Sequence, residues 1–385
     1  MTQADLSSTR RIVDAPAAAG ARLADIDTPA LLVDLDAFEH NLARVHTRIA
    51  AAGLRVRPHA KAHKTPAIAR RQLAAGAHGI CCQKTSEAEA FADAGVDDIL
   101  VTNQIVGEAK VRRAARLARR IRLAVCADDP VPVAQLAAAA RAEGSTVEVL
   151  LEVDIGHGRC GVVSDAQALA VARAIVAAGP QLRFGGIHAF RGTAQHLRDP
   201  AERAAAVAAA TVQLRRTIAL LAAEGITCAT VTGGGTGTYP FESDSGVYTE
   251  VQPGSYVLLD TDYAANRPEP GAVALRQALF GWCSVVSVRP GQAVLDGGLK
   301  AFAVDQGLPA IDRPGWSIQS LSDEHAVAVV DSDAAVAAAP LVVGDKVRLV
   351  PGHCDPTVNL HDWLVAVRGG RVAEVWPVAA RGRLL

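Results

Sequence analysis

The chain has 385 residues, half of them hydrophobic, and 39 basic against 40 acidic side chains give it a formal net charge of -1. That length allows two domains, or one barrel with an appendage, and the hydrophobic half can fill large cores. The near-neutral balance gives no electrostatic ground for nucleic acid or an anionic membrane as partner, and so points to a small molecule.

Residues 1–25 carry an arginine pair and an AxA-like run, but Asp14 and Arg22 interrupt any apolar stretch an export signal would need. The segment reads as a loosely attached extension. No later stretch reads as long enough without charge to span a bilayer. From residue 30, short β-rich runs alternate with alanine-rich helical runs. ALLVDL reads as the first strand, and DAFEHNLARVHTRIAAAG as a helix with Asp36 at its N-cap and Gly53 as its stop. LRVRPHA is the next strand. The cycle repeats through HGICCQ, DDILVTN, IRLAVCA, VEVLLEVD, FGGIHAF and CATVTGG, with helix-length segments between them. Eight or so strands with crossover helices predict an α/β fold, a (β/α)8 TIM barrel over residues 26–272. Beyond it, turn-punctuated β segments without helices predict a C-terminal β domain over 273–385. The seven cysteines, an odd number scattered through apolar runs, read as reduced thiols of a cytoplasmic protein.

In such a barrel, chemistry gathers where strands end. VRPHAKAHKTP, residues 56–66, ends one strand with two lysines, yet the chain has only six lysines among its 39 basic residues. Arginine serves wherever plain charge suffices; lysine can also lose its proton and form a Schiff base with a carbonyl. Gln83, Asn103, Asp154 and His188 fall at other strand ends. The run TGGGTGT, Thr232 to Thr238, follows a strand and lets main-chain N–H groups approach a phosphate, without matching the Walker or dinucleotide patterns. VQPGSY, Val251 to Tyr256, offers a second such turn. A Schiff-base lysine beside a phosphate cradle suggests pyridoxal 5'-phosphate. Arg159, in the glycine-flanked turn DIGHGRCG, is placed to meet that cofactor's phenolate oxygen or to make an ordinary salt bridge. In PGHCDPTVNLHD an extended backbone would turn His353 and Asp355 to one face, a pair suited to Mg2+ or Mn2+.

Taken in order, RPHAKAHK, GICCQKTSEAEAF, GRCGV, GGGTG, GVYTEVQPGSY, DGGLK, SDEHAV and PGHCDPTVNLHDW resemble the D-threonine aldolase and 3-hydroxy-D-aspartate aldolase group, from about residue 26 to the C-terminus. That group is a branch of the alanine racemase-like, fold type III pyridoxal-phosphate enzymes, usually dimeric. The resemblance implies that Lys61 carries the cofactor and that Arg159 contacts its ring oxygen, with Gln83 close by. It implies that Gly234, Gly235 and Thr236, with Gly254, Ser255 and Tyr256, hold the phosphate. His353 and Asp355 would bind the divalent metal. His63 and His196 would be the active-site histidines, either one the base, and His325 is a further candidate. The expected partner is a D-3-hydroxy amino acid, cleaved to glycine and an aldehyde. Related dehydratases carry HxC at the metal pair, so Asp355 favours cleavage over elimination. A non-enzymatic cofactor-handling role would usually lack the β domain. The chain departs from the group's QAYxG motif with HAFRG: Phe190 stands where tyrosine is typical, and Arg191 is a candidate for a substrate carboxylate.

Overall fold

The computed structural model describes residues 14–331 and 339–385. Strand β1 (Ala30–Asp34) leads directly into helix α1 (Leu35–Ala51). Asp34, not Asp36, caps this helix, its carboxylate accepting the Ala37 N–H at 3.0 Å. Gly53, at φ 76°, follows its end. Leu35, Phe38, Leu42, Val45 and Ile49 recur at helical spacing and are buried with Tyr256, Leu364 and Trp376. Each such side chain contributes about 1.5–3 kcal/mol by burial.

Eight parallel strands follow: β2 (Arg55–Val56), β3 (Ile80–Cys82), β4 (Asp98–Gln104), β5 (Arg122–Ala127), β6 (Val147–Glu152), β7 (Leu182–Ala189), β8 (Thr230–Gly233) and β9 (Glu250–Val251). They pair in the order β2-β9-β8-β7-β6-β5-β4-β3. A parallel bridge between His59 and Cys81, with Cys81 N donating to Pro58 O at 2.8 Å, joins β2 to β3 and closes the expected barrel. The crossovers are α2 (Pro66–Ala74), α3 (Thr85–Asp93), α4 (Glu108–Leu117), α5 (Pro130–Glu143), α6 (Asp165–Ala177), α7 (Pro200–Ala223) and α8 (Tyr239–Asp244). Contrary to the reading of the sequence, α7 is by length and composition long and apolar enough to cross a membrane. Here it is the β7–β8 crossover, with Ala210, Leu214 and Leu221 buried in the barrel's outer core.

The second sheet contains β10 (Leu279–Arg289), β11 (Gln292–Leu295), β12 (Ala310–Ile311), β13 (Trp316–Leu321), β14 (Ala326–Val330), β15 (Lys346–Val350), β16 (Trp363–Arg368) and β17 (Arg371–Pro377). Strand β1, expected as the first barrel strand, lies instead in the middle of this sheet, antiparallel to β10 and parallel to β16. Residues 1–13 of the expected N-terminal extension lie outside the described residues. From residue 14 the segment is docked rather than loose: Gly20 N donates to Val372 O at 2.8 Å and Val372 N to Ala21 O at 2.9 Å. Ala17, Ala21 and Leu23 pack against the buried cluster that includes Ile26 and Trp282.

After β9 the chain makes a short helix, α9 (Thr261–Ala264), which bolts the second sheet over the barrel mouth. Asp260 accepts Cys354 N at 2.8 Å, and Thr261 N donates to Pro351 O at 3.0 Å. These bonds seat the turn that carries His353 and Asp355 above the ends of the barrel strands. That turn is not extended as expected. His353 is extended, but Cys354–Val358 forms a helical turn, α10, with Pro356 tolerated in its first turn.

Candidate active site

A cavity of about 410 Å3 opens at the C-terminal ends of the barrel strands. Lys61 reaches it from the single turn Ala60–Ala62 that ends β2, and Gln83 from the end of β3. Arg159 enters after β6, His196 after β7, and Gly234, Gly235 and Thr236 after β8. Gly254 and Ser255 follow β9, and His353 and Asp355 descend from the β domain. Residues more than 290 positions apart thus share one wall.

Four expected side chains are not at this wall; one of them, His325, is exposed in the turn between β13 and β14. His63 is fully buried, its Nδ1 accepting the Thr65 N–H at 3.1 Å and its Nε2 donating to Gln72 Oε1 at 3.2 Å. The edge of its ring meets Phe91. With both nitrogens occupied and burial pushing its pKa down to about 4, it is a neutral core histidine and not a base for a substrate in the cavity. The Tyr256 side chain is likewise buried between α1 and α2, its hydroxyl 2.7 Å from His46 Nε2 and 3.3 Å from Gln72 Nε2. Only its main chain can serve the phosphate. Arg191 lies outside the cavity lining too, its guanidinium beside Gly156 and its Nη1 donating to Ala206 O at 3.1 Å.

The Lys61 ammonium touches Asp355 Oδ2, while Ser255 Oγ donates to Asp355 Oδ1 at 3.0 Å. Burial works against charge on both partners, but their mutual attraction prevails, holding Lys61 above its ordinary pKa and Asp355 well below. His353 Nδ1 lies 2.6 Å from Asp305 Oδ2, which leaves Nε2 for a cation. Asp305 had no signal in the sequence beyond being an acid before a glycine turn. Deeper, Cys126, Glu152 and His188 place their donor atoms within 4.8 Å of one another. Gln104 Nε2 holds Glu152 at 2.7 Å and Gln252 holds His188 at 3.3 Å, so these groups form a polar floor under the cavity.

The cavity's other end suits a phosphate. Thr236 Oγ1 is buried and, among the described residues, has no hydrogen-bond partner. The N–H groups of Gly235, Thr236, Ser255 and Tyr256 likewise meet no acceptor among those residues. Gln195 braces the loop: Gly237 N donates to its Oε1 at 3.0 Å, and a Cβ on Gly235 would lie 2.5 Å from that oxygen. Glu242, directly behind Gly234, is raised by burial to about 7, toward the neutral form that does not repel an anion. Arg159 makes no ion pair among the described residues, leaving its guanidinium for a ring oxygen. A lysine at one end and orphaned donors at the other therefore fit pyridoxal 5'-phosphate. His353 Nε2 and the Asp355 carboxylate, an imidazole and a hard oxygen ligand, fit a divalent ion. Phe190 lies edge-on to His157 at 5.9 Å and lines the cavity with an apolar face.

Residues 33–262 match the family model for the alanine racemase N-terminal domain, and residues 278–367 match a putative serine dehydratase domain. The chain is 44% identical over 378 residues to the 3-hydroxy-D-aspartate aldolase of Paracoccus denitrificans (strain Pd 1222), covering 96% of each chain. Its structure is similar to the crystal structure of D-threonine aldolase from Filomicrobium marinum, with TM-score 0.93 and 46% identity over 96% of this chain and all of that one. D-threo-3-hydroxyaspartate dehydratase from Delftia sp. (strain HT23) stands further off at 31% identity, over 87% of this chain and 92% of that protein.

Proposed function

We infer, from a chain that belongs to the alanine racemase N-terminal domain family and a cavity that sets a lysine beside a histidine–aspartate pair, that this protein is a lyase. It cleaves D-3-hydroxy amino acids of the D-threonine or 3-hydroxy-D-aspartate type to glycine and an aldehyde by a retro-aldol reaction. The observation that carries this reading is Asp355: a carboxylate, not a thiol, stands with His353 over Lys61. The greater identity to the aldolases than to the dehydratase supports it.

Pyridoxal 5'-phosphate bound through Lys61 supplies the electron sink for the pair released when the Cα–Cβ bond breaks. Gly234, Gly235, Thr236, Gly254, Ser255 and the Tyr256 main chain would hold its phosphate and Arg159 its ring oxygen, with Gln83 on the same cavity wall. His353 and Asp355 would hold a divalent ion such as Mg2+ or Mn2+, which would supply the positive charge that acidifies a hydroxyl. His196, the one of the two expected histidines that faces the cavity, takes the hydroxyl proton. Phe190 offers that space no hydroxyl, so hydrogen bonds there come from other walls. We also assign the protein to the cytoplasm, where its free thiols stay reduced, and to a homodimer, as the resemblance implies.

The test is to load the purified protein with cofactor and Mn2+, supply 3-hydroxy-D-aspartate or D-threonine, and assay glycine and ammonia in parallel. Glycine with the matching aldehyde is expected, and its yield ranks the two side chains. Ammonia with a keto acid would mean elimination, and would overturn the argument from Asp355.

A further inference from the structure

We propose that Asp262 is the positioning residue for His196, with Arg198 clamping the carboxylate, so that the imidazole presents an unprotonated Nε2 to the substrate. The inference rests on the reading of His196 as the base. The His196 side chain is 37% exposed at the cavity wall, whereas that of Asp262 is 4% exposed behind it. Imidazole Nδ1 touches Asp262 Oδ2 as an ion-pair contact rather than an aligned hydrogen bond; both atoms are sealed from solvent, and among the described residues neither has a hydrogen-bond partner elsewhere, so each is the group the other can satisfy. On the far side Arg198 Nη2 contacts the other carboxylate oxygen. Its Nη1 donates to Asp262 O at 2.6 Å and to Asn266 Oδ1 at 2.7 Å, which fixes the guanidinium. The Tyr263 ring lies 5.1 Å from the imidazole at 40° and limits its rotation.

An ionised carboxylate accepts hydrogen bonds and donates none, so the imidazole facing it carries its proton on Nδ1. Nε2 then keeps its lone pair for the cavity. When the 3-hydroxyl gives up its proton, the O–H bond breaks, its electron pair stays on oxygen, and an N–H bond forms at Nε2. The Nδ1 proton does not move. Asp262 stabilises the imidazolium so formed without taking the proton, and Arg198 on its second oxygen fixes the carboxylate's orientation. Besides Tyr263, the other ionisable groups lining the cavity are His59, Lys61, His157, Arg159, His188, His353 and Asp355, and among the described residues none of them forms an ion pair with His196. His196 follows β7 and Asp262 follows β9, and no local motif links them.

The decisive variants are Asp262→Asn and Asp262→Glu in the loaded, full-length protein. A carboxamide can turn its NH2 toward Nδ1 and stabilise the tautomer with hydrogen on Nε2. Asp262→Asn should therefore lower kcat by about 10²–10⁴-fold, leave KM within about threefold, and leave cofactor absorbance and metal content unchanged. Carbethoxylation of His196 by diethyl pyrocarbonate at neutral pH, followed by peptide mass spectrometry, should slow in the same variant. Asp262→Glu should recover at least tenfold in kcat over Asp262→Asn. Wild-type acylation of His196, or kcat within twofold of wild type, would overturn the proposal; so would loss of cofactor in step with kcat. If Asp262→Asn does not fold, Arg198→Gln carries the test with a smaller fall in the same direction, and an unchanged rate overturns it. Should the wild type release no glycine, the aldolase reading fails, while the acylation rate still decides whether Asp262 orients His196.

Discussion

Replacing each of the two candidate histidines separates a core residue from a working one. In His63→Leu, Gln72 Oε1 and the Thr65 N–H lose their partners inside a sealed core. Each orphaned group costs about 1–3 kcal/mol, so the variant should lose about 2–6 kcal/mol of stability. The kcat of its folded fraction should stay within about tenfold of wild type, since no proton transfer passes through it. His196→Ala should do the reverse, lowering kcat by about 10²–10⁴-fold with little change in stability. A pH signature accompanies the first variant. The folded pKa of His63, about 4, lies below the ordinary unfolded value, so the wild type is at full strength above pH ~6.5 and loses stability as pH falls toward 4. By about pH 5 this amounts to roughly 2 kcal/mol, a loss His63→Leu cannot show. Urea denaturation at pH 7.5 and pH 5, paired with initial rates normalised to bound cofactor, measures both effects. A His63 variant with wild-type stability and a thousandfold lower kcat would refute the reasoning.

Lys61→Ala should abolish covalent cofactor attachment, read from absorbance after borohydride treatment, together with turnover; a fully active variant would sink the assignment. Asp355→Ala should remove activity that added Mn2+ does not restore, whereas Asp305→Ala should weaken metal affinity about 10–100-fold yet remain rescuable by excess metal, both followed by titration of the apo protein. Gly235→Ala places a methyl 2.5 Å from Gln195 Oε1, so cofactor should dissociate faster on dilution while the melting temperature of the apo protein moves little.

Much of the site was legible because barrel chemistry clusters at strand ends, and the runs after β2, β3, β6, β8 and β9 carried unusual residue types there. What the sequence could not reveal was direction. His63 and Lys61 stand two apart, but the turn Ala60–Ala62 sends one into the core and the other into the cavity. Tyr256 and Ser255 part in the same way. The i, i+2 argument for His353 and Asp355 used the wrong backbone: both reach the cavity, but across the start of a helical turn whose early proline was the unused signal. Asp36 and Asp34 are equally good caps on paper, and only the register of β1 decides between them. The greatest miss is β1 itself. ALLVD is buried on nearly every residue, as any central strand is, and nothing local distinguishes a barrel neighbour from one more than 300 residues downstream.

That strand has a consequence for synthesis. β1 leaves the ribosome first, yet its parallel partner β16 is among the last elements made, so the barrel must form while a sticky apolar ribbon at its head waits for its neighbours. Pairing across such a span is slow and leaves an open edge exposed meanwhile. A chain truncated before residue 279 should therefore need a holding chaperone even though it contains every barrel strand. Only a chain that extends past β16 can pair β1 on both sides.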